Sequence, residues 1–456
     1  MNEHLPIFTA GELPAPEELP RVVAKFILRH GQEAEYLASL ENYYRGKHPI
    51  LDRQKDGNLS NNKLVCNHAK YIADFTSAFL IGEPVTYNSE TDITALTDVL
   101  KAADAPTQDI DLAHDAAIFG RTYELVYTDE DSEVRLAKIS PLNAFVVYDD
   151  TVAQRPLFGV HYYPSYNDNG VLTCFKGSIC TALYTQDITL TVSKGIQSVG
   201  EPVAHFFGKV PLDEIYNNAE RMGDFEVVLS IIDAYNTLQS DRVNDTEQFV
   251  NALLVIKGEV LGDTDRESAD TYRSIKEYGV MTLGENADAS FLTRQLNGSD
   301  AELQRKALSH DIHKFSGVPD MSDENFAGNV SGVAMKFKLL ALEQMTKFKE
   351  RYFAEGLKYR AECNANVISA KGGAAISVKD IQLQFTHSLP ANEPELAQEI
   401  NSLTGHISQK TLISRLPFVK DPEEEIKAVE QEKQADAERM VKSMLKNDMD
   451  TDINDM

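Results

Sequence analysis

Ser316-Gly317-Val318-Pro319-Asp320-Met321-Ser322-Asp323-Glu324-Asn325-Phe326-Ala327-Gly328-Asn329-Val330-Ser331-Gly332 is a polar stretch bounded by glycines, and a long helical pattern follows it. Gly317 and Pro319 end whatever helix precedes, because one favours positive φ and the other cannot continue a helix. Asn329 and Ser331 carry side-chain oxygens suited to capping the next helix. From Ser331 to about Val367, apolar residues recur every three or four positions for about ten turns. They are Met335, Leu339, Leu342, Met345, Phe348, Tyr352 and Leu357. Lys336, Lys338, Lys347, Lys349, Glu350, Arg351 and Lys358 fall on the other faces. Gly317, Gly328 and Gly332 read as hinges, and the interior between them is polar and acidic (Asp320, Asp323, Glu324, Asn325) with one exposed-looking apolar residue, Phe326. Any connector between helices could share this composition. A hinged acidic loop at the head of a long helix also suits presentation into an opening.

Upstream, Asp300–Phe315 reads as a shorter helix with Leu308, Ile312 and Phe315 on its buried edge and Lys306 and Lys314 elsewhere. Before it, Leu253–Ile256 and Val280–Leu283 read as strands, with Asp265–Tyr278 helical between them. Asp224–Asn251 has helical spacing through Val228, Ile231, Ile232, Tyr235, Leu238 and Val243. The first part of the chain predicts helices over Arg21–Tyr44, interrupted around Gly31, then Asn61–Leu80, Asp92–Ala102 and Gln108–Phe119. From Arg121 the period changes to two. Strands are expected at Thr122–Thr128, Val134–Ile139, Ala144–Tyr148, Leu157–Tyr163, Val171–Phe175, Ile179–Thr185 and Ile188–Val192. Asp168-Asn169-Gly170 marks a hairpin turn, since Asn and Gly accept positive φ cheaply. Ile381–Thr386 reads as a last strand and Glu393–Lys446 as a helical region with an acidic tail. The expected class is α+β.

Composition narrows the function. The chain has 456 residues, 42% of them hydrophobic and 25% charged, which are proportions of a foldable protein with more than one core. No segment has the ~20 apolar residues that cross a bilayer, and Met1–Pro20 lacks the basic flank and apolar run of a secretory signal. The net charge of −27 repels phosphate, so any contact with nucleic acid is expected to be local or transient. Cys66, Cys174, Cys180 and Cys363 lack the number and spacing of a disulfide scaffold or zinc site and read as free thiols.

Chemistry-bearing motifs are missing. There is no phosphate-binding G-x-x-x-x-G-K-[ST] loop, no H-E-x-x-H helix and no dinucleotide-binding glycine fingerprint. Gly328-Asn329-Val330-Ser331-Gly332 fails the nucleophile-elbow spacing. His310 and His313 could ligate a metal from one helix face, but no further ligand completes the set, and they read as polar-face residues. Asp149-Asp150 and Asp241 with Asp245 have no second catalytic group beside them. No cofactor, no metal and no enzymatic activity is expected.

Several stretches are together recognisable. They are Tyr43-Tyr44-Arg45-Gly46-Lys47-His48-Pro49-Ile50, Asn67-His68-Ala69-Lys70-Tyr71-Ile72-Ala73-Asp74, Gly82-Glu83-Pro84-Val85-Thr86-Tyr87 and Ala117-Ile118-Phe119-Gly120-Arg121-Thr122-Tyr123-Glu124. Ile139-Ser140-Pro141, Asp233-Ala234-Tyr235-Asn236, Ser240, Asn244-Asp245 and the stretch Ser316–Gly332 complete the set. In this order they resemble the portal proteins of tailed bacteriophages with long non-contractile tails. The resemblance implies a layout: a flexible segment (1–20), a wing (21–223), a stem helix (224–252), a clip (253–298) and a second stem helix (299–316). A tunnel loop (317–332), a long wing helix and strand (333–390), a crown (391–446) and an acidic tail (447–456) follow. It further implies a homo-oligomeric ring, usually twelvefold, at one capsid vertex of the virion, assembled in the bacterial cytoplasm. Double-stranded DNA would pass through it, and terminase, the head–tail connector, and the major capsid and scaffolding proteins would dock on it. In that layout Asp320, Asp323, Glu324, Asn325, Phe326 and Asn329 would face DNA, with Lys306 and Lys314 in the stem lumen. The rival reading is another ring-forming head or tail protein with no DNA channel.

Overall fold

Helix α1 (Leu19–Tyr44) lays Leu19, Val23, Phe26 and Ile27 on one stripe, and that stripe needs an apolar partner. The partner is the inner face of a seven-stranded sheet, ordered β1 (Thr9–Ala10), β5 (Ala144–Asp149), β6 (Pro156–Tyr166), β7 (Leu172–Thr181), β8 (Tyr184–Leu190), β10 (Val203–Ala204), with β9 (Ile196–Val199) also on β8. Phe145, Val147, Phe158, Val160, Ile179, Ile188 and Leu190 supply the inner face. Phe8 meets Phe145 edge-on at 5.3 Å. Each such side chain fully buried contributes about 1.5–3 kcal/mol. The computed structural model describes residues 8–55, 60–250, 253–257, 288–292, 298–321, 332–387 and 400–414, with isolated positions at 269–273 and 416–434.

The chain divides into two units, Met1–Ser322 with Leu339–Phe385, and Asp323–Lys338 with Thr386–Met456. In the first, α2 (His68–Leu80), α3 (Thr94–Ala102) and α4 (Ala105–Phe119) lead into a second sheet, β11 (Leu212–Tyr216)–β3 (Arg121–Thr128)–β4 (Val134–Ile139). β2 (Thr86–Asn88) pairs with β14 (Gln382–Gln384). α5 (Leu229–Val250) and α6 (Gly298–Ser316) pack together and flank the antiparallel pair β12 (Leu253–Lys257) and β13 (Asp288–Leu292). Arg242 pairs with Glu302 at 3.3 Å, and Tyr235, earlier on α5, bonds Arg305, later on α6. The two helices are therefore antiparallel. α7 (Gly332–Ala370) is the long helix. In the second unit, α8 (Gln409–Ile413) is capped by Ser408, whose Oγ accepts from the Thr411 amide at 3.3 Å, and it buries Leu412.

Several expectations change. α1 passes through Gly31 without a break, because the buried stripe stays in register across it, from Phe26 and Ile27 through His30 and Glu33 to Leu37. The two strands expected at Val171–Phe175 and Ile179–Thr185 are mainly one, β7. Gly177 lies at its centre because the backbone of His161 comes too close for a Cβ, which would sit 2.2 Å from a carbonyl oxygen. Cys174 and Cys180 thus stand ~20 Å apart along one strand, too far to bridge. Val280–Leu283 and most of Asp265–Tyr278 lie outside the described residues, and the strand paired with β12 is β13.

The helix expected at Asn61–Leu80 begins only at His68. The preceding segment runs as a strap along α5. The amides of Asn62, Leu64 and Cys66 donate to Asn244 Oδ1 (2.7 Å), Ser240 Oγ (2.9 Å) and Asn236 Oδ1 (2.8 Å). Two extended residues advance ~6.7 Å and four helical residues ~6 Å, so alternate amides meet every fourth side chain. Asn236, Ser240 and Asn244 are all buried. Arg53 and Lys55 secure the strap's other end on Asp241 at 2.9 and 3.0 Å. Val243, expected in the apolar stripe of α5, is exposed, because this polar ladder occupies the covered face instead.

The seam of α7 is also shifted. Its buried residues include Leu339, Leu342, Thr346, Lys349, Phe353, Leu357, Arg360 and Asn364, while Phe348 is 61% exposed. Lys349 pairs with the buried Asp224. Arg360 is 0% exposed and reaches Asp109 of α4 at 2.6 Å and Glu124 of β3 at 2.7 and 2.8 Å. Two buried cations, Lys349 and Arg360, join the packed side chains of Phe353 and Leu357 in holding this helix against its neighbours.

Candidate functional site at the root of the loop

The polar stretch leaves α6 at Ser316, and Gly317 turns it with φ of +69°, a conformation that a side chain would strain. A Cβ there would also press on Met345 Sδ of α7 at 2.4 Å. Val318 is buried immediately afterwards. His313, one turn back on α6, donates from Nδ1 to the Val318 carbonyl at 3.1 Å. Tyr71 of α2 donates its hydroxyl to the Pro319 carbonyl at 3.0 Å. The root of the loop is thus held by one side chain from each of two helices.

These anchors are themselves packed. The His313 ring stands edge-on to Tyr71 at 5.7 Å and to His68 at 5.8 Å, and His68 stands edge-on to Tyr235 of α5 at 4.9 Å. Burial lowers the His68 pKa to about 4, the neighbouring His313 lowers it too, and Asp320 opposes. His68 is therefore a neutral ring at pH 7. A cavity of about 440 Å³ opens beside it, lined by Cys66, Asn67, His68, Tyr71, His313, Asp320 and Met321. Among the described residues no group of three His, Cys, Asp or Glu is placed to hold a metal ion. The arrangement is a mechanical anchor for the loop, with no set of groups arranged for bond making.

The expected site residues separate. Asp320 is half-buried at the root, within electrostatic reach of His68. Asp323, Glu324, Asn325, Phe326, Gly328 and Asn329 lie outside the described residues, and Gly332 opens α7. Lys306 and Lys314 are exposed on α6, Lys314 lying over the Phe315 ring at 5.6 Å. Phe315, expected on the buried edge, is 58% exposed; the stripe passes through Ile312 to Ser316, four residues on, and the small Ser316 lets the chain turn. His310 is exposed, but His313 is half-buried against aromatic rings and so departs from the polar-face reading. Tyr71 and the ladder Asn236–Ser240–Asn244 were not singled out as anchors. The signal was present: polar residues four apart on a helix face with apolar neighbours mark a face covered by backbone.

Comparison with known proteins bears on the whole chain. The family described as phage portal protein, SPP1 Gp6-like, matches residues 24–439. The portal protein of Bacillus phage SPP1 is 24% identical over 95% of this chain and 89% of its own length. The portal protein of Clostridium phage phiCD119 is 22% identical over 88% of this chain and 93% of its own length. Among solved structures, a chain in the virion of a native gene transfer agent particle is 12% identical with a TM-score of 0.45, covering 82% of this chain and 91% of that one. A chain from the neck of the native particle, computed with C12 symmetry, is 11% identical with a TM-score of 0.45, covering 75% and 88%. With the family matched across nearly its whole length, the chain belongs to the phage portal proteins, SPP1 Gp6-like, a structural and non-enzymatic family.

Proposed function

We propose that this portal subunit closes into a ring, about twelve copies around one capsid vertex, whose axial channel passes double-stranded DNA inward during packaging and outward during ejection. The observation that carries this reading is the family match over residues 24–439. The geometry supports it: an antiparallel helix pair, α5 and α6, bears a strand pair at one end and a loop anchored at the other. In that layout α5 and α6 form the stem, β12 and β13 belong to the clip, and α1 with both larger sheets forms the wing. Residues 391–446 form the crown.

Head-to-tail contacts that close produce such rings. Lys306 and Lys314 line the stem, and Asp323 and Glu324 form the tunnel wall with Phe326 at the tip. An acidic wall repels phosphate, so DNA slides where Lys-rich walls would hold it at every step. The clip is the platform for terminase and later for the head–tail connector, and the wing meets the capsid and scaffolding proteins during assembly in the host cytoplasm. The sequence carries no nucleotide-hydrolysis motif, which assigns the driving energy to the partner motor.

The test is a packaging assay with purified procapsids. Asp323→Lys/Glu324→Lys should slow translocation and shorten the packaged DNA, whereas Glu130→Lys/Asp131→Lys in the exposed β3–β4 turn should change neither. Equal packaging by both variants and wild type would contradict the DNA-facing assignment.

A further inference from the structure

A groove of about 820 Å³ lies between the start of α1 and the β9–β10 edge of the seven-stranded sheet, far in sequence from the loop and stem. Pro16, Glu17, Pro20, Arg21 and Ala24 line one side, and Ile196, Val199, Gly200, Glu201 and Pro202 the other. Gln186 of β8 forms part of its lining and is only 5% exposed. Its Nε2 donates to the Gly200 carbonyl at 3.1 Å. A carbonyl can only accept, so the amide is fixed with Oε1 turned away from it. That oxygen is buried and has no hydrogen-bond partner. An unmet buried acceptor is destabilising, and a suitable donor would relieve it.

The other polar groups in the groove lean the same way. Three of the lining residues are prolines, which have no N–H to donate. Glu17 and Glu201 are exposed carboxylates without an ion-pair partner among the described residues, and Arg21 is the one cationic residue of the lining. The groove is therefore rich in acceptors, poor in donors and net acidic, with Ala24, Ile196 and Val199 as an apolar floor. Its complement is a donor-rich cation on an apolar stem. β9 and β10 pair with β8 on one side only among the described residues, leaving the outer side of the sheet open beside the groove. An extended backbone can add there while its side chains enter the groove.

We propose that this groove binds an extended, Lys- or Arg-bearing peptide segment of a partner protein, its basic side chain held by Glu17 and Glu201 and an N–H donated to Gln186 Oε1. The open edge favours a peptide over a small polyamine, which has no backbone to pair with a strand. The groove's chemistry is complete within one subunit, so the proposal does not depend on the DNA-channel reading.

The test uses the full-length protein and a short fluorescein-labelled peptide of alternating Lys and Val, followed by anisotropy. The peptide should bind wild type, and an alternating Glu and Val peptide should not. Glu17→Gln/Glu201→Gln and, separately, Gln186→Leu should each weaken binding at least about fivefold. Glu130→Gln/Asp131→Asn, the same charge change in a distant exposed turn, should alter it less than about twofold. Circular dichroism confirms folding, and the Glu17/Glu201 pair, being on the surface, keeps the test valid if Gln186→Leu does not fold. The proposal is overturned if the distant variant weakens binding equally, which means diffuse attraction. It is also overturned if both peptides bind alike, if neither binds and the groove holds only water, or if spermidine at equal concentration displaces the peptide.

Discussion

Arg360 ties α7 to α4 and β3. Its guanidinium, fully buried, satisfies Asp109 and Glu124, and burial pushes both carboxyls above their ordinary range while Arg360 pulls them down. Arg360→Met leaves two buried carboxylates unpaired and should cost about 3–5 kcal/mol, measured by urea unfolding. The pH dependence follows from linkage. Without Arg360 both folded-state pKa values rise further above the unfolded ones, so the folded variant binds more protons than its unfolded chain in the weakly acidic range. Its stability then falls as pH rises through that window. The deficit relative to wild type should accordingly shrink between pH 8 and pH 5; a deficit independent of pH would contradict the pairing. Gly317→Ala should lower stability by about 1–2 kcal/mol, since φ of +69° strains a side chain. A melting temperature equal to wild type would show that the turn relaxes. Neither buried pairing was legible in the sequence: Lys349 read as a charge on an outer face and Arg360 carried no assignment, because periodicity ranks residues by polarity and cannot see a carboxylate brought from another element.

At the scale of elements, long periodic helices and alternating strands were legible because their patterns are local. α5, α6, α7, β3, β4 and β5 fall within a few residues of the expected bounds. The strap was not. Asn61–Leu80 keeps helical spacing throughout, yet its first part gains more from the ladder on α5 than from helix hydrogen bonds. Ser240→Ala leaves the Leu64 amide without its acceptor and should cost about 1–3 kcal/mol, with faster hydrogen exchange at Leu64. Unchanged exchange would show that the ladder does not hold the strap. The loop root has its own pH signature. His68 is held near pKa 4, below its unfolded value, so its contribution is present above about pH 6.5 and is lost as pH falls toward 4. The protection factor of the Val318 amide, its exchange taken relative to the intrinsic rate at each pH, should therefore fall on acidification, and His68→Gln should remove that dependence; a variant as pH-sensitive as wild type would place the sensor elsewhere.

For the whole molecule, the ordered set of short motifs carried more than any one of them, and the family match across residues 24–439 bears this out. The side chains nearest the expected DNA path were the least legible part, because a channel is a property of many copies while a sequence describes one. In the proposed ring, the −27 charge of each subunit would make phosphate repulsion a collective effect that salt should screen. Electron microscopy of the purified full-length protein, viewed end-on with particle mass measured alongside, tests the central claim most directly. The account predicts a closed ring with an open axial hole and a mass equal to a whole number of subunits near twelve. Monomers, open sheets or a ring without a hole would contradict it.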